Sequence, residues 1–166
     1  MMRFGQLDYE IRQCEQHLDA TGTRNTLIEN YLVRYLLVRI CAEFETRIEI
    51  LVQKRCAART NDTYLLKFAY WGTEIATKRY RISDISKMLG KFGDDYRNAF
   101  IAAVMSDTCH IAWDNICTNR HTIAHEDGAV NMSFTDLKRD YAASLLVIDE
   151  IVKALCLRPK DIKGLK

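Results

Sequence analysis

The run Tyr31-Leu32-Val33-Arg34-Tyr35-Leu36-Leu37-Val38-Arg39-Ile40-Cys41-Ala42 sits inside a stretch, Thr26 to about Arg59, that contains neither Gly nor Pro. Thr26-Leu27-Ile28-Glu29 opens it with the Thr-x-x-Glu form of a capping box, in which two side chains satisfy orphan amides reciprocally. An unbroken helix of about 33 residues would be roughly 50 Å long. Its first half is apolar nearly all round, which suits a helix buried on several sides within a bundle or between subunits. Arg34, Arg39 and the short apolar length keep it from reading as a membrane span.

Working outward, the chain continues in the same style. A first amphipathic helix is expected from about Gln6 to Leu18, with Leu7, Ile11, Cys14 and Leu18 on one face, ended by Thr21-Gly22-Thr23. Thr60-Asn61-Asp62 should open a short helix stopped near Gly72, and Ser83-Asp84-Ile85-Ser86 another that ends at Gly90. Phe92-Gly93-Asp94-Asp95 reads as a turn before a helix from Tyr96 to Met105. Asp107 is a candidate N-cap for the next helix and Gly128 suits its left-handed exit. Ser133-Phe134-Thr135-Asp136 caps a last helix to about Cys156, with Leu137, Tyr141, Leu145, Ile148, Val152 and Leu155 in one stripe. Pro159 closes it, leaving a polar tail, about 158–166, expected to fray. One Pro and seven Gly in 166 residues are too few turn residues for a sandwich or barrel. The fold class is therefore all-α, one domain over 1–166, with no repeat or linker.

A formal net charge of +2 gives no global polyelectrolyte signature, so a nucleic-acid partner would need a local basic patch. The six cysteines include no Cys-x2-Cys pair and mostly occupy apolar helical positions, as reduced core thiols do. No apolar secretory segment follows Met1. The expectation is a soluble, cytoplasmic protein that does not enter a membrane.

The chemistry concentrates in Asn119-Arg120-His121-Thr122-Ile123-Ala124-His125-Glu126-Asp127-Gly128, which holds two of the four histidines. On a helical wheel Ala112, Ile116, Asn119 and Ile123 fall on the core-facing side, opposite His110, Asp114, Cys117, Thr118, His121 and His125. Arg120 projects between the two faces, with Trp113. His121 and His125, four apart, are neighbours, whereas Arg120 and His125, five apart, meet at one phosphate only if the last turn unwinds or the guanidinium reaches over. Metal-free RNA cleavage needs a base of near-neutral pKa for the 2′-OH proton and fixed positive charge on the phosphate. Histidine and arginine suit those two jobs. The bare Arg-x4-His spacing is expected by chance about 0.3 times in a chain of this composition, so spacing alone does not decide the matter.

In context the run Asn-Arg-His-x-Ile-Ala-His-Glu-x-Gly, at a helix C-terminus and followed by a capped final helix, resembles the HEPN superfamily, marked by Arg-x4–6-His. Tyr31 to Glu45 looks like that family's long second helix. Met88-Leu89-Gly90-Lys91-Phe92-Gly93 followed by Trp113 to Gly128 is similar to the RiboL-PSP-HEPN branch. The resemblance implies an up-and-down bundle of HEPN type, with extra short helices between the second and the motif-bearing helix. It also implies a homodimer whose two motifs share a cleft, and metal-independent endoribonuclease activity in many members, several of them toxins or anti-phage effectors. In that scheme Arg120 holds the scissile phosphate, His125 acts on the 2′-OH, and His121 fills the polar position after the arginine. No cofactor is implied. RNA is the substrate, and an antitoxin or regulatory protein is a further candidate partner.

Plainer readings stand beside these. Arg120 and His125 could simply complement the helix dipole and bond loose carbonyls. His121 and His125 could form half of a metal site, but a third ligand is not evident and the Glu of His-Glu-x-x-His is absent. Asp114 could steady His121 or be a solvated charge. Glu45 could pair with Arg120, and Asn119 and Glu126 flank the motif as further supporting candidates. Lys78, Arg79 and Arg81, with Lys87 and Lys91, could track RNA phosphates with Tyr80 stacking, or merely be solvated. The competing functional class is a non-catalytic HEPN dimerisation or adaptor domain.

Overall fold

Helix propensity without a breaker is enough to carry one helix, α2, from Leu27 to Ala57. The computed structural model describes residues 4–76, 80–125 and 130–157, with the side chains of 73–76 and 124–125 outside that description. Around α2 stand α1 (Gly5–Thr21), α3 (Thr63–Ala76), α4 (Ile82–Gly90), α5 (Asp94–Met105), α6 (Cys109–His125) and α7 (Phe134–Ala154). No strand occurs among the described residues.

The principal bundle is α1, α2, α6 and α7, and its packing centre is Phe44 of α2. Trp113 of α6 stacks on that ring at 4.3 Å and 7°. Phe4, before α1, lies 5.9 Å from it and Tyr141 of α7 6.4 Å. Contacts along the helices set their directions. Glu10 pairs with Arg39 at 3.2 Å while Phe4 meets Phe44, so α1 and α2 are antiparallel. Glu29 reaches Phe134 and Phe44 meets Tyr141, so α2 and α7 are parallel. Trp113 on Phe44 and Cys117 beside Cys41 make α6 antiparallel to α2. The helices α3, α4 and α5 fill the interval between α2 and α6, as the resemblance implied.

Several expected boundaries move, each for a local reason. The first helix runs on to Thr21 and exits through Gly22 at φ 63°, where a left-handed residue costs glycine nothing. The capping box is only half formed. Thr26 Oγ1 accepts from the Ile28 amide at 3.2 Å, but Glu29 does not return to Thr26. Its Oε2 accepts from the Asn25 amide at 2.6 Å and its Oε1 from the Phe134 amide at 2.7 Å. One buried carboxylate thus serves the N-terminal ends of both α2 and α7. We expect Glu29→Ala to lower unfolding free energy by about 2–4 kcal/mol, since two charge-assisted bonds are lost. A urea titration should show the midpoint falling at unchanged slope, with Glu29→Gln in between.

The third helix does not stop at Gly72 but continues to Ala76; one interior glycine costs only about 1 kcal/mol. Asp62 caps this helix, its Oδ1 accepting from Tyr64 and Leu65. Ile82 rather than Ser83 starts α4, and Asp94 rather than Tyr96 starts α5. Ser133 caps α7 as expected, exchanging bonds with Asp136 at 3.1 and 2.6 Å. Its stripe is buried except for Val152, which is half-buried. The first half of α2 is less enclosed than its composition suggests: Leu27, Ile28, Tyr31, Tyr35 and Val38 are exposed on the monomer. All six cysteines are free, and Cys156 alone of them is exposed. Gly128 and Pro159, with the tail 158–166, lie outside the described residues.

Candidate active site

The motif helix α6 starts where Asp107 Oδ1 accepts from the Cys109 amide at 3.1 Å, the cap its sequence announces. His110 is drawn into the same corner, its Nδ1 within 3.1 Å of the Val104 carbonyl and 2.8 Å of that of Asp107. The wheel needs correction at two positions. Cys117, placed on the polar face, is buried, and Asn119, placed on the core face, is half-exposed and donates to the Asn115 carbonyl at 2.9 Å. The reason is that α6 is covered on two sides. Trp113 and Cys117 pack towards α2 and the segment at Tyr80, while Ile116 and Ala112 fill the bundle.

That second contact builds the cleft. Trp113 Nε1 donates to the Tyr80 carbonyl at 2.6 Å, and Cys117 Sγ lies 3.9 Å from the same oxygen. Asp114 Oδ1 accepts from the Ile82 amide at 3.1 Å, so its carboxylate serves the N-terminus of α4. Three side chains on two adjacent turns of α6 therefore hold the chain from Tyr80 to Ile82 against it. Between them opens a cleft of about 430 Å³ lined by Tyr80, Arg81, Ser83, Asp84, Cys117, Arg120 and His121. Arg120 is half-buried there and His121 exposed.

Glu45 reaches this place from α2. Burial pushes its carboxyl above the usual range, while a hydrogen bond from Tyr80 and the charge of Arg120 pull it back. Burial likewise pushes the Tyr80 hydroxyl well up, helped by the neighbouring Cys41 and Glu45 and opposed by Arg120. Cys41 and Cys117 form a buried thiol pair beneath the cleft; the hydrogen bond to Cys41, then burial, raise Cys117 far above the ordinary thiol range. A thiol so placed is a packing group rather than a nucleophile.

Of the candidates read from sequence, Arg120, His121, Arg81 and Glu45 come together, with Tyr80. Asp114 is close by but engaged with α4, and Asn119 is engaged with its own helix. The helix α6 extends through His125, whose side chain lies outside the described set, as do Lys78, Arg79 and Glu126 altogether. Among the described residues, no three His, Cys, Asp or Glu side chains gather as a metal group. Ser83 and Asp84 are cleft residues that sequence reasoning took only for a helix start. Their signal was their place directly after the basic cluster.

The Asp114 contact makes a prediction. Asp114→Ala should cost about 1 kcal/mol of stability, as loss of a helix cap does, while Asp114→Asn keeps an acceptor and most of that stability. Thermal unfolding of the two variants compares them directly.

A family model described as RiboL-PSP-HEPN matches residues 6–157 of this chain. No curated protein and no solved structure matches it.

Proposed function

The chain belongs to the RiboL-PSP-HEPN family, and from that premise we propose that it is a metal-independent endoribonuclease acting at the cleft of a homodimer. The observation that carries the reading is the lining of one cleft by Arg120, His121 and Arg81. Two guanidiniums against the single carboxylate of Asp84 leave its lining positive, the sign a phosphodiester needs. Arg120 neutralises the scissile phosphate as charge builds on it, which a fixed guanidinium does without reorganisation. His125, one turn beyond His121, takes the 2′-OH proton. The 2′ oxygen then attacks phosphorus, the P–O5′ bond breaks, and the departing 5′ oxygen takes a proton from water, leaving a 2′,3′-cyclic phosphate and a 5′-OH. Glu45 and Tyr80 orient Arg120 from beneath; Arg81 holds a neighbouring phosphate, with Lys78 and Arg79 extending that track.

The second copy sits against the outer row of α2. Leu27, Tyr31, Arg34 and Val38 recur at spacings of four and three, so they share one face of that helix. Leu27, Tyr31 and Val38 on it are exposed; further along the same face Cys41 is buried under α6, and Glu45 lies beneath the cleft. Because α6 is antiparallel to α2, its last turn runs beside this row. A partner docked there brings two motifs together.

A cytoplasmic toxin or phage-defence effector, held in check by an antitoxin or regulatory protein, is the biological setting we propose. Expression of the wild type should arrest growth, and His125→Ala should not, with 2′,3′-cyclic phosphate ends on cellular RNA in the first case alone. Equal growth with both, and intact RNA, goes against the reading. The net charge of +2 favours one alternative, a non-catalytic dimerisation or adaptor domain, since nucleases acting alone usually carry a larger basic footprint. That alternative predicts a folded dimer inert towards every RNA.

A further inference from the structure

The helix α3 turns an aromatic row outwards. Tyr64, Leu65, Phe68 and Trp71 are 85%, 51%, 66% and 57% exposed. Lys67 is exposed too, three residues after Tyr64 and four before Trp71, so it stands in the same row. The Phe68 and Trp71 rings contact each other at 5.8 Å, tilted by 41°. The helix rests on α2 and leaves this row to solvent. An apolar patch of this size on a monomer marks an interaction site.

We propose that the row is a base-stacking platform for single-stranded RNA that leads the strand into the cleft; this rests on the ribonuclease reading of that cleft. Three of the four large side chains are aromatic and recur at i, i+4 and i+7, offering successive faces to successive bases of any sequence. Lys67 supplies a cation to the phosphates between them. Continuity points the same way. The helix ends at Ala76, and four residues later the chain enters the cleft at Tyr80. By chain length alone, five helical residues and at most four fully extended steps keep Trp71 within about 22 Å of Tyr80, a span of a few nucleotides. Area argues against a second protein chain as occupant. At 150–250 Å² per large side chain, the exposed fractions amount to about 400–650 Å², below the ~800 Å² per partner of a stable interface.

The two tryptophans supply the test. Trp113 is fully buried on Phe44, whereas Trp71 is exposed, so a base stacking on the surface reports through Trp71. The probe is a 2′-O-methyl oligouridine of about twelve nucleotides, which has no free 2′-OH to cleave. Titrating it should quench the tryptophan emission to saturation. Trp71→Phe should abolish the quench while keeping most of the affinity measured by anisotropy, and Tyr64→Ala and Phe68→Ala should each weaken binding about tenfold. No quench in the wild type overturns the proposal, and so does unchanged affinity in a Tyr64→Ala/Phe68→Ala variant. Dissociation of a dimer by Phe68→Ala in sedimentation also overturns it, assigning the row to a second copy. Cleavage of unmodified RNA is read separately. Quenching without cleavage keeps the platform and removes the nuclease; cleavage without quenching does the reverse.

Discussion

Arg120→Ala should reduce the rate of RNA cleavage by about 10²- to 10³-fold, the loss expected when a preorganised charge facing the transition state is removed. The side chain is half-buried at the cleft, among Tyr80, Arg81, Cys117 and His121. Its charge is felt by Glu45 beneath. Removing it leaves that carboxyl raised further by burial, while the half-buried Glu45 keeps its hydrogen bond from Tyr80. Folding should therefore shift little, within about 0.5 kcal/mol, as for other changes at partly exposed positions. The expected signature is a large fall in kcat at nearly constant Tm. Arg120→Lys keeps the charge but loses the planar fork, and should recover only part of the rate.

Trp113→Ala carries the largest expected cost to stability, about 3–5 kcal/mol. The ring is wholly buried, stacked 4.3 Å from Phe44, and its Nε1 holds the Tyr80 carbonyl at 2.6 Å. Truncation opens a cavity at the meeting point of α2 and α6 and leaves that carbonyl without its donor. Against a total of about 5–15 kcal/mol for a domain, this is a substantial share. Activity should fall as well, because the Tyr80–Ile82 wall of the cleft loses its anchor. Trp113→Phe should recover much of the packing without the hydrogen bond. Comparing the two in urea, with cleavage measured on each, separates packing from placement of the wall.

How far the sequence reached follows from what each residue must satisfy. The long second helix was legible because nothing between Thr26 and Arg59 interrupts it, and Ser133 and Asp107 were legible because caps are local. Gly72 misled because a breaker's cost is small beside the packing of α3 on α2. Cys117 and Asn119 were exchanged because a wheel assumes one buried face, and α6 has two neighbours on different sides. Asp114 bonds to Ile82, 32 residues earlier, and Glu29 to Phe134, 105 residues later. No local pattern encodes such partners. Of the site, Arg120, His121, Arg81 and Glu45 were named from sequence and do converge. Tyr80 was named only as a stacking ring, and its carbonyl is what Trp113 holds.

The most direct test of the central claim is a cleavage assay in EDTA with purified wild type, Arg120→Ala and His125→Ala, each shown folded by its thermal transition. The account predicts cleavage by the wild type, leaving 2′,3′-cyclic phosphate and 5′-OH ends, and loss of that cleavage in both variants. Undiminished cleavage by either variant, or an inert wild type on every RNA offered, would contradict it.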